Sequence, residues 1–176
     1  YSDHLLPLVL LAVNTGLRRG ELFGLIWGDV DLPRRMLRVR ADSAKSGKTR
    51  HVPLNAAAMD ALDTWRAQHG TVAAGALIFP GRGGGRLDNI NKAWKSVRDA
   101  AELDGFHFHD LRHTFASELI MRGVSLSIIR DLLGHSNFAM TQRYAHLSPE
   151  AAAAAVAKLD DIGHELAVEE AQEEAG

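Results

Sequence analysis

The 176-residue sequence predicts a mainly α (α+β) domain: a helical body with a small antiparallel β-sheet near its N-terminal third. Three observations carry that expectation. Apolar residues recur at helical spacing through most of the chain. Several of these runs are bounded by residues that cap or stop helices. One pair of segments, MLRVR (36–40) and TRHVPL (49–54), alternates as strands do on either side of the turn-rich ADSAKSGK.

Composition bounds the class. With 46% hydrophobic and 24% charged residues, the chain reads as globular and large enough for one domain with its own core. It has no cysteine, which excludes disulfides and thiolate metal sites. No apolar run approaches the roughly 20 residues needed to span a bilayer, and no signal-like segment opens the chain. A cytoplasmic protein without membrane contact is expected. The net charge of −2 is unevenly spread: beyond residue 157 stand seven of the 22 acidic residues and only one of the 20 basic ones. The body is therefore mildly basic and the tail acidic, a balance compatible with a nucleic-acid-facing surface.

In order, HLLPLVLLAVN (4–14) is apolar nearly all round and reads as a buried helix, with Pro7 tolerated in its first turn. Thr15 and Gly16 end it, and a second helix starts at Arg18 or Arg19, with Glu21 one turn on as a brace for Arg18. WGDVD (27–31) reads as a turn, followed by the two strands. Asn55 caps AAAMDALDTWRAQ, with Met59, Leu62 and Trp65 as its core stripe. ALIF (76–79) is a short apolar run. GRGGGR (81–86) is a loop without the ending of a phosphate-cradling motif, although Arg82 and Arg86 could touch a DNA phosphate. LDNINKAWKSVRDAAEL (87–103) reads as an amphipathic helix with Lys92, Lys95 and Arg98 on its wet side.

The polar residues that folding does not require gather between His109 and Tyr144. HDLRHTFASELI reads as a helix that raises His109 and Arg112 one turn apart over a stripe of Leu111, Phe115, Leu119 and Ile120. A second helix runs from a Ser125 cap through Ile128, Ile129, Leu132 and Leu133 to a Gly134 stop, and His135 follows. Tyr144 lies on the short run FAMTQRYAHL. Short turns between these helices would aim His109, Arg112, His135 and Tyr144 into one pocket. His113 reads as packing or a surface residue.

HDLRH, LLGHSN and TQRYAH, in this order and preceded by TGLRRGEL (15–22), resemble the boxes of the tyrosine recombinase (phage-type integrase) family's catalytic domain. The hairpin is similar to that family's K-x-G-K-x-R-x-V-P-L pattern, and WGD to its W-x-D run. The resemblance implies six catalytic residues: Arg18, Lys45, His109, Arg112, His135 and Tyr144. Lys48 is a rival to Lys45 within the same turn. The chemistry suits them. Attack on a phosphodiester builds negative charge on the two non-bridging oxygens, which guanidinium forks can hold two at a time. His135 would add a donor. A phenol needs a base and neighbouring cations to become a nucleophile, and His109 is the expected base, with Lys45 the acid for the departing 5′-oxygen. The product would be a 3′-phosphotyrosyl bond, made and resolved without ATP, metal or another cofactor.

The resemblance also implies double-stranded DNA as partner and a homo-oligomer, a tetramer, when assembled on it. Residues 1–147 would be the catalytic domain. Residues 148–176 would be a C-terminal helix, opened by Ser148 and Pro149, and an acidic tail, with the helix docking on a neighbouring protomer. Family members carry a separate helical core-binding domain ahead of this one, absent from this chain, so the chain is expected to be a piece of a longer protein. Two rivals stand beside this reading. One is a DNA-binding module of the same fold without turnover. The other is a histidine-dependent metallohydrolase, prompted by His107, His109 and Asp110 but lacking a clear third ligand. The type IB topoisomerases share a similar tyrosine chemistry, but the boxes match the integrases better.

Overall fold

The computed structural model describes residues 4–44, 47–147 and 156–157. Lys45 and almost all of the C-terminal segment lie outside the described residues, and with them the expectations for the general acid at Lys45 and for a docking C-terminal helix.

Helix α1 (Leu5–Thr15) buries Leu5, Leu8, Leu11, Ala12 and Thr15 at helical spacing. Its apolar character is not buried all round: α1 packs against α2, α3 and α5 but leaves an outer side to water, where Leu6 is 68% exposed. Pro7 sits in the first turn, where a missing N–H removes no intrahelical bond. Gly16 ends the helix in the left-handed region (φ 63°) and donates its N–H to the Ala12 carbonyl. Helix α2 (Arg19–Phe23) follows at once.

WGDVD is more than a turn. Trp27–Asp29 form one 3₁₀ turn, and Val30–Asp31 become strand β1. Strand β1 pairs with β2 (Met36–Val39), which pairs with β3 (Arg50–Pro53), giving a three-stranded antiparallel sheet in the order β1-β2-β3. Register puts Leu37 opposite Val52 and Val39 opposite Arg50. Leu37, Val39 and Val52 are buried, so period-two alternation sends the Arg50 side chain to the core face with them. Asn55 caps α3 (Ala56–His69) by accepting the Ala58 N–H at 2.9 Å. From α3, Ala58, Leu62 and Trp65 join the main core, with Met59 half-buried against it.

The run 76–79 lies along residues 25–27, with an isolated bridge between Ile26 and Leu77, and buries Ile78 and Phe79. The glycine-rich loop follows, and its Arg86 donates to the Gly20 carbonyl at 2.6 Å, tying it to α2. Helix α4 (Asn91–Ala100) is shorter than the pattern 87–103 suggested: Leu87 and Ile90 are buried ahead of the helix as irregular backbone.

Helices α5 (Asp110–Met121) and α6 (Leu126–Leu133) form with the expected boundaries. Ser125 caps α6 and Gly134 ends it in the left-handed region (φ 62°). Of the apolar residues on α6, Ile129 and Leu133 are buried, whereas Ile128 is 54% exposed. Two apolar clusters result. The large one joins α1, the sheet, α3 and the segments around α4. The small one holds Ala116 and Ile120 of α5, Ile129 and Leu133 of α6, and Tyr144. No helix among the described residues is long and apolar enough to cross a membrane.

Candidate active site

Arg112 lies at the third position of α5 with its side chain turned inward, 4% exposed. A buried charge is costly unless it is paired or hydrogen-bonded. Here the partners are helix ends: one terminal nitrogen donates to Gly16 O at 2.6 Å and the other to Leu133 O at 2.7 Å. Gly16 follows the last turn of α1 and Leu133 closes α6, where unpaired carbonyls carry partial negative charge. Burial, and after it the neighbouring Arg18 charge, push the Arg112 guanidinium down to about 9, so it stays a cation at neutral pH. The approach needs Gly16 itself. A Cβ there would lie 2.5 Å from Phe115 Cδ1, quite apart from the positive φ.

Arg18 precedes α2, and its backbone N–H donates to Glu21 Oε2 at 2.8 Å. Its guanidinium reaches Glu21 Oε1 at 3.2 Å and the same Leu133 carbonyl at 3.5 Å. Glu21 therefore braces Arg18 as its spacing suggested, but a third arginine holds it harder. Arg50 donates to both carboxylate oxygens, at 3.0 and 2.7 Å, and through Nε to Leu132 O at 2.9 Å. Burial alone would raise the Glu21 pKa; the hydrogen bonds and charges of Arg50, then of Arg18, outweigh it and hold the carboxyl below its ordinary range. Sequence reasoning missed Arg50 as a site residue. Its signal was an arginine in phase with Val52 and Leu54 on the apolar face of a strand. Gly134 gives it room, since a Cβ there would lie 3.0 Å from the Arg50 side chain.

The last carbonyls of α6 thus gather Arg18, Arg50 and Arg112. His135 comes one residue after the Gly134 stop, and its Nδ1 is 2.8 Å from the hydroxyl of fully buried Thr141. Burial first, then the charges of Arg112 and Arg18, push His135 down to about 4, leaving it a neutral imidazole at pH 7. Thr141 belongs to the short helix α7 (Ala139–Gln142). Tyr144 follows on a turn rather than on a helix. It is 6% exposed, its ring seated in the small apolar cluster.

The Tyr144 hydroxyl is hydrogen-bonded to Nδ1 of His113. His113, expected to be packing or surface, is therefore the imidazole on the phenol, because a residue four positions beyond His109 on α5 is the one that faces the α7 turn. His109, at the N-cap of α5, instead sets its ring edge-on to that of His113, with centroids 5.1 Å apart. Burial raises the Tyr144 pKa against the opposing charges of Arg143 and Arg112. Burial also lowers both His113 and His109. At rest the phenol and both imidazoles are neutral.

Of the six expected residues, Arg18, His109, Arg112, His135 and Tyr144 come together around the α6 terminus and the α7 turn, while Lys45 is not among the described residues. Its rival Lys48 lines an open cleft with Arg50, Arg130 and His135. Among the described residues, no group of three or more His, Asp or Glu side chains is placed to hold a metal ion.

Comparison with known proteins identifies the family. The phage integrase family profile matches residues 2–151. The chain is 39% identical over 143 residues to tyrosine recombinase XerC of Corynebacterium efficiens, covering 80% of this chain and 45% of that protein. It is 30% identical over 170 residues to the integrase of Salmonella phage P22, covering 92% and 44%. The chain thus spans about half the length of the curated relatives it matches. Among solved structures, the Tn1549 transposon integrase in complex with transposon right end DNA shares the fold at a TM-score of 0.73 and 24% identity, covering 91% of this chain and 60% of that one. The chain belongs to the phage integrase family.

Proposed function

We propose that this domain cuts and rejoins DNA strands, with Tyr144 as the nucleophile and a 3′-phosphotyrosyl bond as the intermediate. The observation that carries the reading is a buried phenol, hydrogen-bonded to a neutral imidazole, beside two arginines that share the Leu133 carbonyl. A guanidinium has five N–H groups, and the two Gly16 and Leu133 bonds take only two of those of Arg112. Arg112 and Arg18 would hold the two non-bridging oxygens of the scissile phosphate as charge develops there. Neutral His135 would donate a further hydrogen bond through Nε2, its Nδ1 being engaged by Thr141. His109, within electrostatic reach of both arginines, completes the set.

As the Tyr144 oxygen bonds to phosphorus, the P–O5′ bond breaks, and the departing oxygen takes a proton from Lys45 or its rival Lys48. The phosphotyrosyl bond keeps the energy of the broken phosphodiester, so religation needs neither ATP nor metal. Double-stranded DNA is the proposed partner, consistent with the integrase relatives and with the DNA-bound transposon integrase of the same fold. A tetramer on DNA and a cytoplasmic location belong to the same reading.

The test is trapping on a nicked suicide duplex carrying the native recombination site. Mass spectrometry should find the adduct on Tyr144, and Tyr144→Phe should form none. An adduct on another residue, or cleavage by the phenylalanine variant, would overturn the assignment.

A further inference from the structure

We propose that His113 is the residue that takes the phenolic proton of Tyr144 during attack, a role that rests on the strand-cleaving reading above. A general base must lie within hydrogen-bond reach of the proton it removes. Among the described residues, His113 is the histidine bonded to the Tyr144 hydroxyl. The ring centroids lie 5.8 Å apart at an interplanar angle of 48°. The contact is set by the framework on both sides. His113 sits in the first half of α5, next to the buried Arg112. Tyr144 is buried in one apolar cluster with Ala116, Ile120, Ile129 and Leu133, which anchors its side chain.

The charged surroundings suit a transient proton acceptor. His113 is faced by Arg143 from the turn after α7 and by Asp110 and Arg112 from its own helix, with the His109 ring against its edge. Burial and Arg143 keep the resting imidazole neutral, and in its Nε2–H tautomer Nδ1 presents a lone pair to the phenol. At neutral pH the phenol stays protonated without a base, because burial holds its pKa above the ordinary tyrosine value. In the step proposed, the O–H bond of Tyr144 breaks and an N–H bond forms at His113 Nδ1. The phenolic oxygen bonds to phosphorus, and the P–O5′ bond breaks, its oxygen protonated by the general acid, Lys45 or Lys48. The imidazolium, disfavoured by Arg143 and Arg112 and favoured by Asp110, returns its proton to the phenolate on religation. His109, one turn earlier, is left to face the phosphate rather than the nucleophile.

The experiment measures the rate of covalent adduct formation on the nicked duplex across pH for the parent, His113→Gln and His109→Ala. Glutamine keeps a hydrogen bond to the phenol but cannot accept a proton. His113→Gln is expected to slow adduct formation at pH 7 by about 10²-fold or more, with duplex affinity and melting temperature unchanged. Its rate should climb steeply with pH as the phenol ionises unaided. Two further measurements separate a lost base from a disturbed fold. Fluorinated tyrosine at position 144, with a more acidic phenol, should recover much of the loss. A duplex with sulfur replacing the scissile 5′-oxygen should not, because its leaving group needs no proton. If His113→Gln keeps the parent's rate and pH profile, or is rescued by the sulfur duplex, the proposal is overturned. If the parent itself forms no adduct, the strand-cleaving reading fails and takes this one with it.

Discussion

Arg50 grips Glu21 through two parallel hydrogen bonds, 3.0 and 2.7 Å, at a carboxylate that is 1% exposed. The pair ties β3 to α2, and through Arg50 Nε it also ties both to the end of α6. Removing one partner of a buried ion pair leaves the other charge uncompensated, at a cost of about 3–5 kcal/mol. Arg50→Ala should therefore lower unfolding free energy by that order, read as a reduced denaturant midpoint. A loss under about 1 kcal/mol would mean that the pair is solvated in solution.

The same pair and His135 give the domain two acid-sensitive windows. The His135 pKa is depressed on folding, so the unfolded chain binds the extra proton first. Stability should fall as pH drops from the ordinary histidine value, 6.5, toward about 4. Glu21 is also depressed, so its contribution is present above its ordinary value of 4.5 and is lost as pH falls through the lower folded value. His135→Gln should shrink the upper window, to which the depressed His109 and His113 also contribute, and leave the lower one, whereas Glu21→Gln should shrink the lower one, in denaturation curves taken across pH.

Arg18 and Arg112 should act on the transition state more than on DNA affinity. Losing one such donor from a preorganised site costs about 10²–10³ in rate, whereas one phosphate contact among several changes binding far less. Arg112→Ala also strands the Gly16 carbonyl and leaves that of Leu133 only the longer Arg18 bond, so it should destabilise the fold by about 1–3 kcal/mol. Arg18, with 18% of its side chain exposed, should cost less stability for a similar loss of rate. Equal losses of binding and cleavage in either variant would reduce that arginine to an anchor.

Thr141 orients His135. Thr141→Val keeps the shape and deletes the 2.8 Å hydrogen bond. A neutral hydrogen bond is worth about 1 kcal/mol, so single-turnover cleavage should slow by up to about tenfold, with serine restoring it. Serine failing to rescue, with valine unimpaired, would show the contact to be incidental.

Cleavage should proceed in excess chelator, because the charge stabilisation proposed here comes from guanidinium groups. Activity abolished by EDTA and restored by a divalent ion would favour a metal-dependent hydrolase instead.

The sequence by itself determined the helical body, the Ser125 and Asn55 caps, the Gly16 and Gly134 stops, the strands 36–40 and 49–54, and the boxes that carry Arg18, Arg112, His135 and Tyr144. These are local features: period, capping chemistry and motif spacing act within a few residues. Tertiary structure alone decided the rest. Strand β1 forms because β2 offers it an edge, and 87–90 stays irregular because Leu87 and Ile90 are buried better outside the helix. Arg50 joins the site because its strand register turns it toward Glu21, a partner 29 residues away in sequence. His113 displaces His109 at the phenol for a similar reason. Spacing along α5 puts two histidines one turn apart, but only the packing of the α7 turn against the small apolar cluster selects the one that meets Tyr144.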